Sequence, residues 1–178
     1  MHKPIFRLLA VCVAAFALSS CADDKKIDYC PGMTSVLDAY MAATFKPGTE
    51  PLPTNALYTV EIVKVKGNCS FDKQGKTSDS NLMVTFGATR ATPGDAAQYT
   101  VPYFVAVTLG ETVITKQLRK VTFSFAPGEK SATFEDDIDD VALVTDGEKK
   151  PYDYQILVGL QLTKEQLDYN RSIGLFAR

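Results

Sequence analysis

Most of the chain after residue 56 alternates apolar and polar residues, which is the period of a β-strand with one buried face. Residues 81–88 and 112–125 alternate in this way, while residues 99–109 are apolar on nearly both faces, as a central strand is. Residues 152–162 alternate most clearly, and one face of that segment carries Tyr152, Tyr154, Ile156, Val158, Leu160 and Leu162. These patterns predict six or seven strands.

Two strands carry a local irregularity in their pattern. Within residues 57–66 the apolar positions change phase after Ile62, which predicts a bulge near Ile62 or a strand that crosses between sheets. Pro102 interrupts a strand-like segment and has no N–H group, so it requires an unpaired backbone position or a bulge.

Glycine and proline pairs mark the predicted turns between strands. Gly110–Glu111 has the length of a two-residue hairpin turn with glycine first. Pro93–Gly94 and Pro127–Gly128 both fit a type II turn, in which glycine takes the positive φ position.

Helical patterns occur near both ends of the predicted domain. Thr163 and Gln166 have the spacing of a capping box, which predicts a short C-terminal helix over residues 164–171. Residues 33–45 have apolar positions that fit a helix or a strand, and the pattern leaves both open.

Together these elements predict an all-β fold, an antiparallel β-sandwich with a short C-terminal helix. An immunoglobulin-like arrangement is the first choice and a small barrel the second. Residues 30–178 are long enough for one ordinary domain, so we predict a single sandwich domain over that range.

The N-terminus has the features of an export signal. Residues 1–20 combine a basic start with an apolar stretch and small residues before Cys21, which predicts a signal peptide. The quartet Leu18-Ser19-Ser20-Cys21 resembles the bacterial lipobox. That resemblance implies that Cys21 becomes the acylated N-terminus with three acyl chains, anchored in a bilayer and followed by a short tether to residue 29.

The position after the lipidated cysteine bears on localisation. Ala22 resembles the enteric pattern for sorting to the outer membrane. This resemblance favours the periplasmic face of the outer membrane.

The four cysteines divide between the two parts of the chain. Cys12 lies in the signal peptide and Cys21 is assigned to lipid, which leaves Cys30 and Cys69. An even pair in an exported chain favours a disulfide, with two buried free thiols as the alternative.

Composition excludes several classes of function. Residues 21–178 contain no histidine or tryptophan, so Ser-His-Asp catalysis and the usual zinc sites are absent. The same range has 17 basic and 21 acidic residues without a concentrated basic face, which argues against nucleic-acid binding. We expect no cofactor and no enzymatic activity.

Two polar clusters are candidate sites, and each has an alternative interpretation. The acidic run supplies candidate calcium ligands, although its spacing is not that of a calcium loop, and the alternative is an edge strand kept soluble by charge. Its candidate ligands are Asp136, Asp137, Asp139, Asp140 and Asp146.

The C-terminal helix is the second candidate site. Its polar face could bind a partner, or the helix covers the core while its polar residues face water. The residues of that face are Gln166, Tyr169, Asn170 and Arg171.

Several longer motifs resemble a known group of proteins. The segments "GNCSFD", "PYFVAV" and "YQILVGLQLTKEQLDYNR" resemble a family of uncharacterised envelope lipoproteins of alphaproteobacteria, and the likeness spans residues 30–171. The resemblance implies the anchor, the compartment and a shared fold, and it carries no catalytic residue.

These observations predict a non-catalytic lipoprotein that acts as an interaction or accessory module at a membrane surface. Its expected partners are the lipid bilayer, through acylated Cys21, and an envelope protein. The alternative hypothesis is a lipoprotein that binds a small ligand, a glycan or calcium. A carboxylate glycoside hydrolase is a third, because that chemistry requires no histidine.

Overall fold

The computed structural model describes residues 30–72, 76–145 and 147–174, and it is a sandwich of two four-stranded sheets. The predicted all-β sandwich with a short C-terminal helix is therefore confirmed. The predictions for residues 1–29, including Cys21, and for Asp146 lie outside the described residues. The strands are β1 (Gly32–Ser35), β2 (Met41–Phe45), β3 (Ala56–Phe71), β4 (Thr77–Thr89), β5 (Ala97–Leu109), β6 (Thr112–Phe125), β7 (Ser131–Val144) and β8 (Tyr154–Leu160), and helix α1 is Lys164–Ser172.

The strand order defines the topology of the sandwich. One sheet has the order β1-β8-β5-β6 and the other β2-β3-β4-β7. Neighbouring strands are antiparallel except β1 and β8, which pair in parallel. Immunoglobulin domains place their strands in the order ABED and CFG, so the connectivity found here differs from that first-choice arrangement within the sandwich class.

The core lies between the inner faces of the two sheets. The alternating positions predicted in β4, and in β8 from Tyr154 to Leu160, are buried, because the inner face of each strand meets the opposite sheet. Tyr152, predicted on the same face, lies before β8 in a 3-10 turn and is exposed. Phe134 of β7 lies between Phe86 and Phe123, with stacked rings at centroid distances of 5.2 and 4.6 Å. This aromatic stack joins the sheets on the side where the edge strands β6 and β7 face each other.

Both strand irregularities occur where the sequence predicts them. In β3 the pairing with β4 shifts between Ile62 and Lys64, which is the predicted bulge. Pro102 lies one residue beyond the last β5–β8 pair, where the β8 strand has ended. Its carbonyl accepts from the backbone N–H of Gln161 at 2.9 Å, and the absent N–H interrupts no ladder bond.

Two of the three predicted turns are confirmed. Gly110 connects β5 to β6 with a φ of 57°, and Gly128 takes a φ of 78° behind Pro127. The backbone N–H of Glu129 closes the second turn on the carbonyl of Ala126 at 3.1 Å. The prediction of a type II turn at Pro93–Gly94 is wrong, because Gly94 does not have a positive φ.

Arg90 explains the different conformation at Pro93–Gly94. Its guanidinium donates to the carbonyls of Gly94 and Asp95 at 3.0 and 2.9 Å. The same group donates to the carbonyls of Glu129 and Ala126 in the β6–β7 turn at 2.7 and 3.2 Å. One side chain thus joins two loops, and the loop 90–96 curves around the guanidinium instead of closing on its own backbone.

Residues 33–45 form two short strands in different sheets. β1 pairs with β8 in one sheet, and after a 3-10 turn at Leu37–Ala39 the chain enters β2, which pairs with β3 in the other. The helix-or-strand ambiguity is thereby resolved in favour of strands. The chain crosses from one sheet to the other within this segment.

A disulfide between Cys30 and Cys69 fixes β1 against β3, with a Cα–Cα distance of 5.6 Å. This confirms the predicted pairing. Gly67 of β3 lies next to this link, and a Cβ atom there would lie 2.6 Å from the backbone carbonyl oxygen of Asn81 in β4 and closer still to the side-chain sulfur of Met33 in β1. Gly67 is therefore required at this contact.

We predict that Gly67→Ala lowers the free energy of unfolding by about 1–3 kcal/mol, because the new methyl group clashes with the backbone carbonyl of Asn81 in β4 and with the side chain of Met33. Urea denaturation monitored by circular dichroism measures this change. Gly32→Ala is the matched control, since a Cβ there meets its nearest neighbour, Gln155, at 3.7 Å. Equal stability of the two variants would contradict the close approach.

Candidate functional site

The acidic run forms strand β7, and its carboxylates point in different directions. Asp136 lies on the inner face and Asp137 on the outer face, in keeping with the period of a strand. Asp139 and Asp140 are both exposed at a bulge, where Asp140 has a φ of 58° and its N–H donates to Oδ1 of Asn81 at 3.1 Å. Within residues 30–72, 76–145 and 147–174, no three metal-ligating side chains form a group that could hold an ion. β7 lies at the edge of its sheet, which agrees with the alternative interpretation of the acidic run as an edge strand.

Asp136 belongs instead to a polar cluster that joins three strands. The hydroxyl of Tyr103 in β5 donates to Oδ2 of Asp136, and Nε of Arg119 in β6 donates to the Tyr103 oxygen at 2.9 Å. Nε of Arg119 lies 3.6 Å from Oδ2 of Asp136. Since β5 and β6 belong to one sheet and β7 to the other, the cluster links the sheets where their edges meet.

The electrostatics of the cluster favour a protonated tyrosine. Burial raises the pKa of Tyr103 far above its usual value, and the hydrogen bond to Asp136 and its negative charge raise the pKa further. Tyr103 therefore stays a hydrogen-bond donor at physiological pH. A group that does not change its protonation state near neutral pH is a poor general acid or base, so the arrangement is suited to holding the sheets together.

One charged residue in the sequence indicates this cluster, although strand alternation alone does not identify its partners. Arg119 falls in phase with Val121, Phe123 and Phe125, which are buried inner-face residues of β6. A charged residue on an apolar face requires a charged or hydrogen-bonding partner. The partner itself lies on another strand, and strand periodicity does not indicate which one.

The C-terminal helix begins as predicted, and its polar residues contact the edge of β2. Thr163 and Gln166 form the capping box in both directions. Nε2 of Gln166 donates to the carbonyl of Ala43 at 3.0 Å, and Nδ2 of Asn170 donates to the carbonyl of Met41 at 2.9 Å. Amides four residues apart on a helix thus reach carbonyls two residues apart on a strand.

The other two residues of the predicted partner face differ in exposure. Tyr169 is buried, and its ring packs edge-on against Phe45 with a centroid distance of 4.9 Å. Arg171 is exposed and lies 3.9 Å from a carboxylate oxygen of Asp168. Three of the four predicted residues therefore contact β2, and Arg171 faces solvent.

A small cavity lies where β2, β5 and the segment before α1 meet. It has a volume of about 230 Å³, and its lining includes Thr44, Tyr58, Thr100, Pro102, Gln161 and Gln166. Ligand sites for drug-sized molecules span about 300–1,000 Å³, so this cavity is below that range. It contains no charged side chain in its lining.

Comparisons with known proteins give no assignment. No family model, curated protein or solved structure matches the chain. The resemblance to envelope lipoproteins stays a prediction. In the part of the chain that the structure describes, no helix is both long and apolar enough to cross a bilayer.

The link between the sheets predicts different effects for two adjacent carboxylates. We expect Asp136→Ala to lower the free energy of unfolding by about 2 kcal/mol, because the buried Tyr103 hydroxyl loses its acceptor. Asp137→Ala, on the outer face, should change it by less than about 0.5 kcal/mol. Urea denaturation compares the two variants, and a larger loss for Asp137→Ala would refute the assignment of Asp136.

The helix contacts predict a similar contrast between neighbouring residues of α1. Asn170→Ala should lower the free energy of unfolding by about 1–2 kcal/mol, because the part-buried Met41 carbonyl loses its donor. Arg171→Ala should leave stability nearly unchanged. Thermal denaturation of both proteins tests this, and a stability loss confined to Arg171→Ala would favour another role for the helix.

Proposed function

We propose that this protein is a non-catalytic lipoprotein of the cell envelope, anchored by acylated Cys21 and acting as an interaction or accessory module. The observation that carries the proposal is the lipobox-like quartet together with the place where the folded domain begins. Eight residues separate Cys21 from Cys30, and Cys30 is held at one end of the sandwich by its disulfide to Cys69.

The short connection limits how far the domain could move from a bilayer. Eight residues of flexible chain span about 15 Å on average. An anchor at Cys21 would hold the end of the sandwich that contains Cys30 near the lipid surface. The loops 46–55 and 126–130, at the opposite end, would face away from it.

The exposed strand edges support an interaction role. β2 is covered by α1, whereas β6 and β7 are edge strands that face one another on one side of the sandwich. Residues 112–118 of β6 are exposed throughout, and such an edge can pair with a strand of a partner. The cavity beside Gln166, at about 230 Å³, is smaller than the sites of drug-sized ligands. Ala22 supports placement on the periplasmic face of the outer membrane.

The anchor is tested by Cys21→Ala expressed in a bacterium that processes lipoproteins. We expect the wild-type protein to sediment with membranes and to carry an acyl mass on Cys21, and the variant to lose both. Cys12→Ala is the matched control, because Cys12 lies in the predicted signal peptide. This substitution should leave anchoring unchanged. Membrane sedimentation of Cys21→Ala equal to wild type would refute the anchor.

The interaction role is tested by photo-crosslinking in the same cells. A photoreactive residue at Leu118, which is 69% exposed on β6, should give one predominant protein adduct in the membrane fraction. The same residue at Val63, 59% exposed on the outer face of the other sheet, serves as the control. Adducts that are equally diverse at both positions would contradict a defined partner at the β6 edge.

A further inference from the structure

Large exposed apolar side chains are concentrated at the end of the sandwich where Cys30 lies. Among the residues that the structure describes, ten such side chains are exposed by 45% or more, and half of them surround this end. We call these five residues the apolar rim. The apolar rim consists of Phe71, Val113, Ile114, Val144 and Tyr152.

Strand register shows that both sheets contribute to the apolar rim at the same end. In one sheet, Phe71 pairs with Ser78 and Val144 pairs with Thr77, at the last positions of β3 and β7. In the other, Val113 and Ile114 follow the turn between β5 and β6. The disulfide from Cys30 to Cys69 joins the two sheets at this end.

Tyr152 reaches the same end through β8. It lies in the 3-10 turn Pro151–Asp153, directly before β8 begins. The first residues of β8 pair with the last residues of β5 and with Gly32, two positions after Cys30. The side chain of Tyr152 is 49% exposed, and tyrosine combines an apolar ring with a polar hydroxyl.

Charges near the apolar rim are close to balance. The described residues of this end carry three lysines and five carboxylates, namely Lys76, Lys149, Lys150, Asp72, Asp79, Glu111, Glu148 and Asp153. Such a surface has no strong attraction to an anionic or a cationic partner. Contact at this end would depend on the apolar side chains.

We propose that the apolar rim contacts the lipid surface and orients the sandwich on the membrane. The inference rests on the proposed anchor at Cys21. Because only eight residues connect Cys21 to Cys30, the surface that lies against the apolar rim would be the bilayer. Fully extended, that connection spans about 30 Å, and as a coil about 15 Å. The apolar rim is therefore the part of the domain that an anchored chain holds nearest to lipid.

Anchoring also explains why a modest apolar surface is sufficient. Once one end of the chain is held in the bilayer, contact by the domain is an intramolecular event at high effective concentration. Tyrosine and aliphatic residues at the level of the headgroups suit such an interface. Because the charges nearly balance, the contact should form on zwitterionic lipid and persist at high salt.

The absence of tryptophan from the chain allows a direct test. Single variants Val144→Trp and Val113→Trp place one fluorophore on the apolar rim. Leu52→Trp, in the loop at the opposite end, and Leu118→Trp, on the outer face of β6, are controls of similar exposure. The acylated proteins are placed in vesicles of phosphatidylcholine with acyl chains brominated near the headgroup.

We expect quenching of the two rim variants to exceed that of the controls by about twofold or more, with a blue-shifted emission, because the rim side chains enter the interfacial region. The difference should remain at 1 M salt, where the screening length is about 3 Å. Equal quenching at Leu52→Trp, or no quenching at Val144→Trp, would overturn the proposal. Crosslinking of the rim to an envelope protein without lipid quenching would also overturn it.

A second arm separates the rim from the anchor. A chain that begins at Cys21 contains the whole described sandwich, and its Cys21 can be coupled to a maleimide lipid in the same vesicles. Selective rim quenching in this form supports the docking surface whether or not cells acylate Cys21. Missing acylation in cells would refute the proposed anchor, whereas absent quenching of the coupled chain would refute the docking surface.

Discussion

Unpaired backbone at the edges of the two sheets is the constraint on which the structure depends. A two-sheet sandwich has four edge strands, and each exposed edge can pair with another chain. Here α1 covers β2 with the amides of Gln166 and Asn170, and the disulfide holds β1 against the half of β3 that extends beyond its pairing with β2. Between β6 and β7, the cluster of Tyr103, Arg119 and Asp136 fixes the edges of opposite sheets at one position. Helix amides, a disulfide and a buried polar cluster therefore each fix or cover an edge of a sheet.

Local features of the fold were accessible from the sequence because they depend on neighbouring residues. Alternation identified the strands, since burial of one face imposes a period of two. The phase change after Ile62 indicated the bulge, and the Thr163–Gln166 spacing indicated the start of α1. Each of these features is determined by side chains within a few positions of one another.

Long-range partnerships were not accessible in this way. Asp136 was a candidate calcium ligand in the sequence, but its orientation toward Tyr103 follows from how β5 and β7 face each other. The turn at Pro93–Gly94 failed for the same reason, because Arg90 binds carbonyls from two loops. Gln166 and Asn170 have helical spacing that suits many partners, and the carbonyls they meet lie on a strand far earlier in the chain. Such choices depend on tertiary geometry that a single strand or helix does not encode.

The pairing of the first elements with the last ones has a consequence for folding. β1 pairs with β8, and α1 covers the edge of β2 that β3 leaves free, so residues 154–172 complete both N-terminal strands. The hairpins β3–β4 and β5–β6 are local and can form early, whereas these terminal contacts require most of the chain to be present. A chain that emerges N-terminus first would keep β1 unpaired, and the outer edge of β2 uncovered, until its last residues arrive. Truncation at the C-terminus would therefore expose two aggregation-prone edges at the other end of the sequence.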